Sequence, residues 1–189
     1  MDKGLLVGVD IDGCLADFVG ACALLIRQER ELNIWPNIQT GNITEEVEEL
    51  LNKYQYTSEL YNWLNPFPYA ASTLHKIVSD YANIIYITAR PLSTKDITNR
   101  WLELHGFPSA RVINVRGSKI PAVTRERVDI FIEDRLMYAI PLAEEGLKVI
   151  LLNLYEIDYT ECTFPDSIRI ATNWEEVRNV VVEGFWEIG

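Results

Sequence analysis

An α/β fold, a parallel Rossmann-like sheet flanked by helices, is predicted for this 189-residue chain from three features. Strand-length apolar runs recur along it. Helix-length segments with their own start and stop signals separate them. The exception is one long interval after the first run, which predicts a small helical cap inserted there. Strands spaced by helices of this length imply parallel pairing with right-handed crossovers.

The first strand is read in "LLVGVDI", from Leu5, apolar nearly throughout as expected for a strand covered on both faces. The second is "NIIYITAR", Asn83 to Arg90, and the third "RVINVRG", Arg111 to Gly117. "VDIFIEDR", Val128 to Arg135, is the fourth, "LKVILLN", Leu147 to Asn153, the fifth, and "IRIAT", near Ile168, a short last one. One helix is expected from about Pro68 to Asp80. Another runs from about Ser93 to His105, with Ser93 and Asp96 placed as a capping box and Gly106 as its stop. A third follows Arg135 and is shortened or kinked by Pro141. Asn173 is placed to cap the final helix.

The interval after strand one is far too long for a single crossover. It holds the helical pattern "FVGACALLIRQERELNIW", then "ITEEVEELLNKYQY", which places acids in a first helical turn after Thr44, favourable to the helix dipole. Residues 18–72 are therefore assigned to the cap, and 1–17 with 73–189 to the sheet domain.

Composition narrows the function. The net charge of −11 and the lack of a dense Lys/Arg tract disfavour a polymeric nucleic-acid partner. A small anionic substrate remains compatible, since local cations outweigh a distant field beyond a Debye length of about 8 Å. There is no apolar run of about 18 residues to span a membrane, and the N-terminal run leads into acids rather than a cleavage site. Cys14, Cys22 and Cys162 are scattered and form no CxxC pair, which favours a reducing, cytoplasmic setting.

In a parallel sheet, ligands sit beyond the carboxyl ends of the strands. Strand one delivers Asp10 and Asp12 there, strand two Thr88 and Arg90, and the segment after strand three Ser118 and Lys119. Strand four delivers Glu133 and Asp134. Residues two apart on a strand point the same way, so Asp10 and Asp12 can share a site, with the alternative that Asp12 already lies in the turn begun by Gly13. Up to four carboxyls on one edge are strongly unfavourable, or partly protonated, without a cation. Oxygen ligands without a nearby His or Cys favour Mg²⁺ over zinc, and Mg²⁺ beside phosphate makes phosphoryl transfer the natural reaction class. One carboxylate would attack phosphorus and the other exchange protons with the leaving alcohol and the incoming water. Thr88 and Lys119 would hold phosphoryl oxygens. Asp17 is expected to orient the loop or cap the next helix, and Cys14 is not read as a nucleophile.

"DIDGCLADF", "ITAR", the lysine of "RGSK" and "FIEDR" resemble the four motifs of the haloacid-dehalogenase-like phosphatases. "DGCLADF", "YNWLNPFPYA" and the "EDR" ending resemble the 5′(3′)-deoxyribonucleotidase branch in particular. The resemblance implies Asp10 as nucleophile and Asp12 as general acid/base. It implies Mg²⁺ held by Asp10, the Asp12 carbonyl and Asp134, with Glu133 helping through water. It also implies phosphate binding by Thr88, Ala89 and Lys119. The fourth motif opens on Glu133 where this branch often has Asp, and Thr-Ala-Arg leaves the role of Arg90 open, here assigned to substrate. The cap is rich in rings, and a nucleobase needs a π surface to stack on; Phe18 and Trp63 are the expected base neighbours. The expected activity is Mg²⁺-dependent hydrolysis of (deoxy)nucleoside monophosphates. The alternatives are another small phosphoester as substrate, or an inactive relative that only binds nucleotide. A homodimer is compatible with the sequence.

Overall fold

A computed structural model describes residues 4–31, 33–34, 44–54, 60–61 and 64–182. Six strands form one parallel sheet: β1 (Leu5–Val9), β2 (Ala82–Thr88), β3 (Val112–Asn114), β4 (Ile130–Glu133), β5 (Lys148–Leu152) and β6 (Ile168–Ala171). The spatial order is β3-β2-β1-β4-β5-β6. After β1 the chain builds outward through β2 and β3, then returns to lay β4 on the other flank of β1. That reversal opens a crevice at the carboxyl end of β1, where α/β sheets bind ligands.

The described helices are α1 (Phe18–Arg30), α2 (Glu45–Tyr54), α3 (Ala70–Asp80), α4 (Lys95–Leu104), α5 (Ile120–Glu126), α6 (Leu136–Glu144) and α7 (Trp174–Val182). They cover both sheet faces, so the strands alternate between two cores rather than between core and water. Ile130 and Ile132 join Val7, Val9 and Ile11 in the core under α1, α3, α4 and α7. Phe131, between them, joins Ile85, Ile87 and Val149 in the core under α5 and α6. Burial on both faces is why these strands read as unbroken apolar runs.

Local signals account for several helix boundaries. Asp17 caps α1 by accepting from the Gly20 N–H at 2.9 Å. Asn173 caps α7 by accepting from the Glu176 N–H at 2.9 Å. Gly106, at φ +67°, ends α4, with its N–H on Glu103 O and the Phe107 N–H on Leu102 O, a Schellman pair. The capping box expected from Ser93 and Asp96 does not form. Pro91 starts a 3₁₀ turn over Leu92–Thr94 that runs directly into α4, and no side chain caps either. Pro fixes the entry φ, and the tight turn takes up the first N–H groups instead. Helix α5 was not foreseen from sequence. Its signal was Pro121 in the first turn after Lys119.

Both ends of the segment between β1 and β2 are tied together where they meet the sheet. Ala16 bridges Pro66, the Asp17 N–H donates to Asn65 O, and the Phe67 N–H donates to Leu15 O. Tyr155, from the loop after β5, donates its hydroxyl to Asp17 at 3.0 Å and packs edge-on to Phe67. Among the described residues no helix is long and apolar enough to cross a membrane.

Candidate active site

The sheet register brings the acids together. β1 and β4 are paired with Val9 opposite Ile132, and the Asp10 N–H donates to Ile132 O at 3.0 Å. The next residue of β4, Glu133, is therefore set beside Asp10, and Asp134 follows at the strand's exit. Carboxylate oxygens of Asp10, Glu133 and Asp134 lie within 4.8 Å of one another, and all three residues are buried.

Lys119 enters the same cluster from the start of α5. Its Nζ donates to Asp10 Oδ2 at 2.7 Å and to Glu133 Oε2 at 2.6 Å, with the side chain almost fully buried. Burial opposes its charge, but the Asp10 and Glu133 carboxylates outweigh it and raise its pKa, so it stays an ammonium. Burial pushes the Asp10 carboxyl up to about 7 against the pull of Lys119, with Glu133 and Asp12 adding to the rise. Asp134 is also pushed well above the carboxylate range, by burial first and then by Glu133 and Asp10.

Asp12 lies in the turn at Gly13 rather than on the strand, the second of the two expected arrangements. The strand ends at Val9 rather than running on through Ile11. The Leu15 and Ala16 N–H groups both fold back onto Ile11 O, and Gly13 takes φ +85°. The alternation that would have aimed Asp12 with Asp10 is lost in this turn. The Asp12 carboxylate is absent from the three-acid cluster and faces Arg90, which donates Nε to Oδ2 at 2.8 Å and a terminal nitrogen to Oδ1 at 2.5 Å. Arg90 itself is buried behind Asp12 rather than displayed at an open surface.

Thr88 ends β2 almost fully buried, and its hydroxyl accepts from the Arg90 N–H at 3.2 Å. Ala89, between them, is half-buried. Phe18 opens α1 and packs, half-buried, against the core. Trp63 lies outside the described residues. Cys14 is fully buried, and burial, with Asp134 next, raises its thiol well above the usual range, so it is no nucleophile.

The model of the family "5′ nucleotidase, deoxy (Pyrimidine), cytosolic type C protein" matches residues 4–184. The chain belongs to this family. It is a phosphoric monoester hydrolase of the nucleotidase type. Among relatives it resembles, a nucleotidase of Clostridium acetobutylicum is 26% identical over 185 residues, covering 94% of this chain and 93% of the other. A Bacillus subtilis (strain 168) protein provisionally named a nucleotidase is 28% identical over 185 residues, 91% of each chain. In fold, the nucleotidase is similar to a haloacid dehalogenase-like hydrolase of Streptococcus pneumoniae, with a TM-score of 0.57 at 15% identity over 92% of this chain and 96% of that one. It is also similar to the L-2-haloacid dehalogenase of Xanthobacter autotrophicus, with a TM-score of 0.60 at 13% identity over 96% and 98%. The haloacid-dehalogenase-like fold is thereby shown.

The donor set of the nucleotidase fits a hard divalent cation. Three carboxylates against one ammonium leave two uncompensated negative charges, the charge of one dication. Asp10 Oδ1 and Asp134 Oδ1 are buried without any hydrogen-bond donor, an arrangement that costs free energy unless something positive meets them. Metal-free, burial raises the Asp10 carboxyl to about 7 and that of Asp134 well above the usual carboxylate range, so protons compete with a cation for this site. Stabilisation by Mg²⁺ should therefore grow as pH rises from about 5.5 to about 8, because ligands must be deprotonated to bind. Thermal melts with and without Mg²⁺ check this, and an equal shift at both pH values would contradict it.

Gly13 leaves room for this cluster. A Cβ at residue 13 would fall 1.9 Å from Asp134 Oδ2, and the positive φ is itself unfavourable for a side chain. Gly13→Ala should displace Asp134 and weaken Mg²⁺ binding by about 10- to 100-fold, the range for positions that orient ligands. Calorimetric titration measures it, and unaltered affinity would show that Asp134 is not held by this packing.

Sequence reasoning, which counts Tyr61 among the cap rings, missed the Arg90–Asp12 pair and the contact of the Tyr61 ring, whose centroid lies 5.0 Å from the Arg90 guanidinium. No local signal announces a contact across 78 positions. It also did not foresee the Tyr155 tether to Asp17.

Proposed function

We infer that the protein hydrolyses (deoxy)nucleoside monophosphates, with Asp10 as nucleophile and Asp12 as general acid/base, in a Mg²⁺-dependent reaction. The observation that carries this reading is the buried Asp10–Glu133–Asp134–Lys119 cluster at the carboxyl end of β1, in a chain of nucleotidase family. Asp10, Glu133 and Asp134 are the residues that would hold Mg²⁺, with Asp12 contributing through its carbonyl as the family resemblance implies, which leaves its carboxyl for proton transfer. When bound, Mg²⁺ supplies charge neutralisation at the phosphoryl group.

In the first step an Asp10 oxygen forms a bond to phosphorus as the bond to the leaving alkoxide breaks, and Asp12 gives that oxygen its proton. In the second step water forms the new P–O bond, the Asp10–phosphorus bond breaks, and Asp12 takes the proton from water. Lys119, Thr88 and the backbone at Ala89 hold the phosphoryl oxygens, with Lys119 offsetting charge as it builds. Residues 18–72 act as the cap that excludes water from the phospho-aspartate. Phe18 and Trp63 are the proposed base neighbours. The free thiols of Cys14, Cys22 and Cys162 suit a cytoplasmic setting.

A substrate panel tests this reading: thymidine, deoxyuridine, uridine and purine monophosphates with sugar phosphates, each with and without Mg²⁺. Nucleotides should lead in kcat/KM, and activity should vanish on chelation and return with Mg²⁺. A sugar phosphate preferred over every nucleotide would overturn the substrate assignment. Full activity after exhaustive chelation would overturn the metal requirement.

A further inference from the structure

We propose that Arg90 is a positioning residue for the acid/base carboxylate, holding Asp12 from behind so that its open side faces the scissile oxygen. The proposal rests on the acid/base role of Asp12 given above, and goes beyond it by naming the group that aims Asp12.

The Arg90 side chain has no exposure, whereas that of Asp12 keeps 19%. Both oxygens of Asp12 are engaged by parallel N–H donors at 2.8 and 2.5 Å, the fork geometry that fixes a carboxylate's plane as well as its place. Each carboxylate oxygen has a further acceptor site that this fork does not use. The acid is thus clamped on its inner side and remains open outward.

The clamp is itself held on every side. Another terminal nitrogen of Arg90 donates to Thr98 Oγ1 of α4 at 3.2 Å, and Thr98 is fully buried. The ring of Tyr61 lies 5.0 Å from the guanidinium and that of Trp101 5.9 Å, both within cation–π range. The backbone is fixed as well: the Arg90 N–H donates to Thr88 Oγ1, and Asn114 Nδ2 donates to Arg90 O at 3.0 Å. A buried arginine with one carboxylate partner among the described residues and this much support does not suit a substrate ligand that must exchange contacts each turnover. It suits a fixed mount. The mount is needed because Asp12 lies in a turn rather than on a strand, so no sheet geometry aims it.

Lysine would make one contact where the guanidinium makes two, so Arg90→Lys should restore activity only in part. Arg90→Gln removes the clamp. Thr98→Val removes one brace while preserving shape.

The test compares a nucleoside 5′-monophosphate with its analogue carrying sulfur at the bridging 5′ position. The thiolate leaves without a proton, so the first-turnover release of thiol does not need the acid. Asp12→Asn should slow the oxygen ester by about 10²- to 10⁴-fold, the usual share of general acid–base catalysis, with far less effect on thiol release. Arg90→Gln should show the same split with a loss of about 10²-fold, Arg90→Lys a smaller one, and Thr98→Val about 3-fold, each with KM little changed. If Asp12→Asn shows no split, the acid/base reading itself fails. If Asp12→Asn shows it but Arg90→Gln slows both substrates equally, or neither, the positioning role is overturned and the acid/base reading stands. Should Arg90→Gln not fold, Thr98→Val decides by the same split, and its absence there overturns the proposal.

Discussion

Asp10→Asn is expected to abolish turnover, with a loss on the order of 10⁶-fold in kcat, the scale on which covalent enzymes fail without their attacking group. The same substitution should make the metal-free protein more stable above neutral pH. The sign follows from linkage. Asp10 titrates at about 7 in the folded chain, well above its ordinary 3.8. Between these values the folded state holds a proton that the unfolded state has lost, so stability falls as pH rises through the window and stays low above it. Asparagine carries no such charge and escapes the loss. Melting curves of metal-free wild type and variant across pH should diverge upward from about pH 4 and level off above about pH 7, with the variant the more stable. A variant that still forms product at near wild-type rate would remove Asp10 from the mechanism. One that melts below the wild type at high pH would show that the Lys119 contact outweighs the cost of burying the Asp10 charge.

Lys119→Met should have the second largest effect, on fold and chemistry together. Lys119 is the ammonium contacting both Asp10 and Glu133, and its own charge is kept by them. Removing one partner of a buried ion pair costs about 3–5 kcal/mol, because the charge left behind has neither water nor counter-ion. Methionine fills similar space, so the loss reports charge rather than a cavity. Mg²⁺ should recover part of it, since a dication neutralises the same carboxylates. The rate should also fall, by about 10²- to 10³-fold, as when one stabilising donor is taken from a developing charge. Urea unfolding of wild type and variant, with and without Mg²⁺, checks the first effect. A loss under about 1 kcal/mol in the metal-free protein would mean that the carboxyls simply take up protons instead.

These predictions concern residues that differ in how far the sequence alone could place them. Asp10, Glu133 and Asp134 were legible as a group. A parallel sheet delivers every strand's carboxyl end to one edge, so acids that follow apolar runs in β1 and β4 must arrive on the same side. Lys119 was legible only as a candidate, because nothing local distinguishes a lysine that caps a short helix from one that turns inward. Asp17 and Asn173 were legible as caps, since a cap needs only a side chain and an N–H two or three residues on. Ser93 shows the limit of that logic: the spacing was right, but Pro91 started the turn earlier.

The sequence by itself determined which segments become strands, that they run parallel, and at which edge the chemistry gathers, because these depend on periodicity and connection length. The tertiary structure alone decided the strand order, the entry of Lys119 into the acid cluster and the pairing of Asp12 with Arg90. Those rest on contacts between residues far apart in the chain. Asp12 is the clearest case: its spacing from Asp10 allowed a shared face and Gly13 allowed a turn, and an arginine 78 positions away holds the side chain that no strand aims.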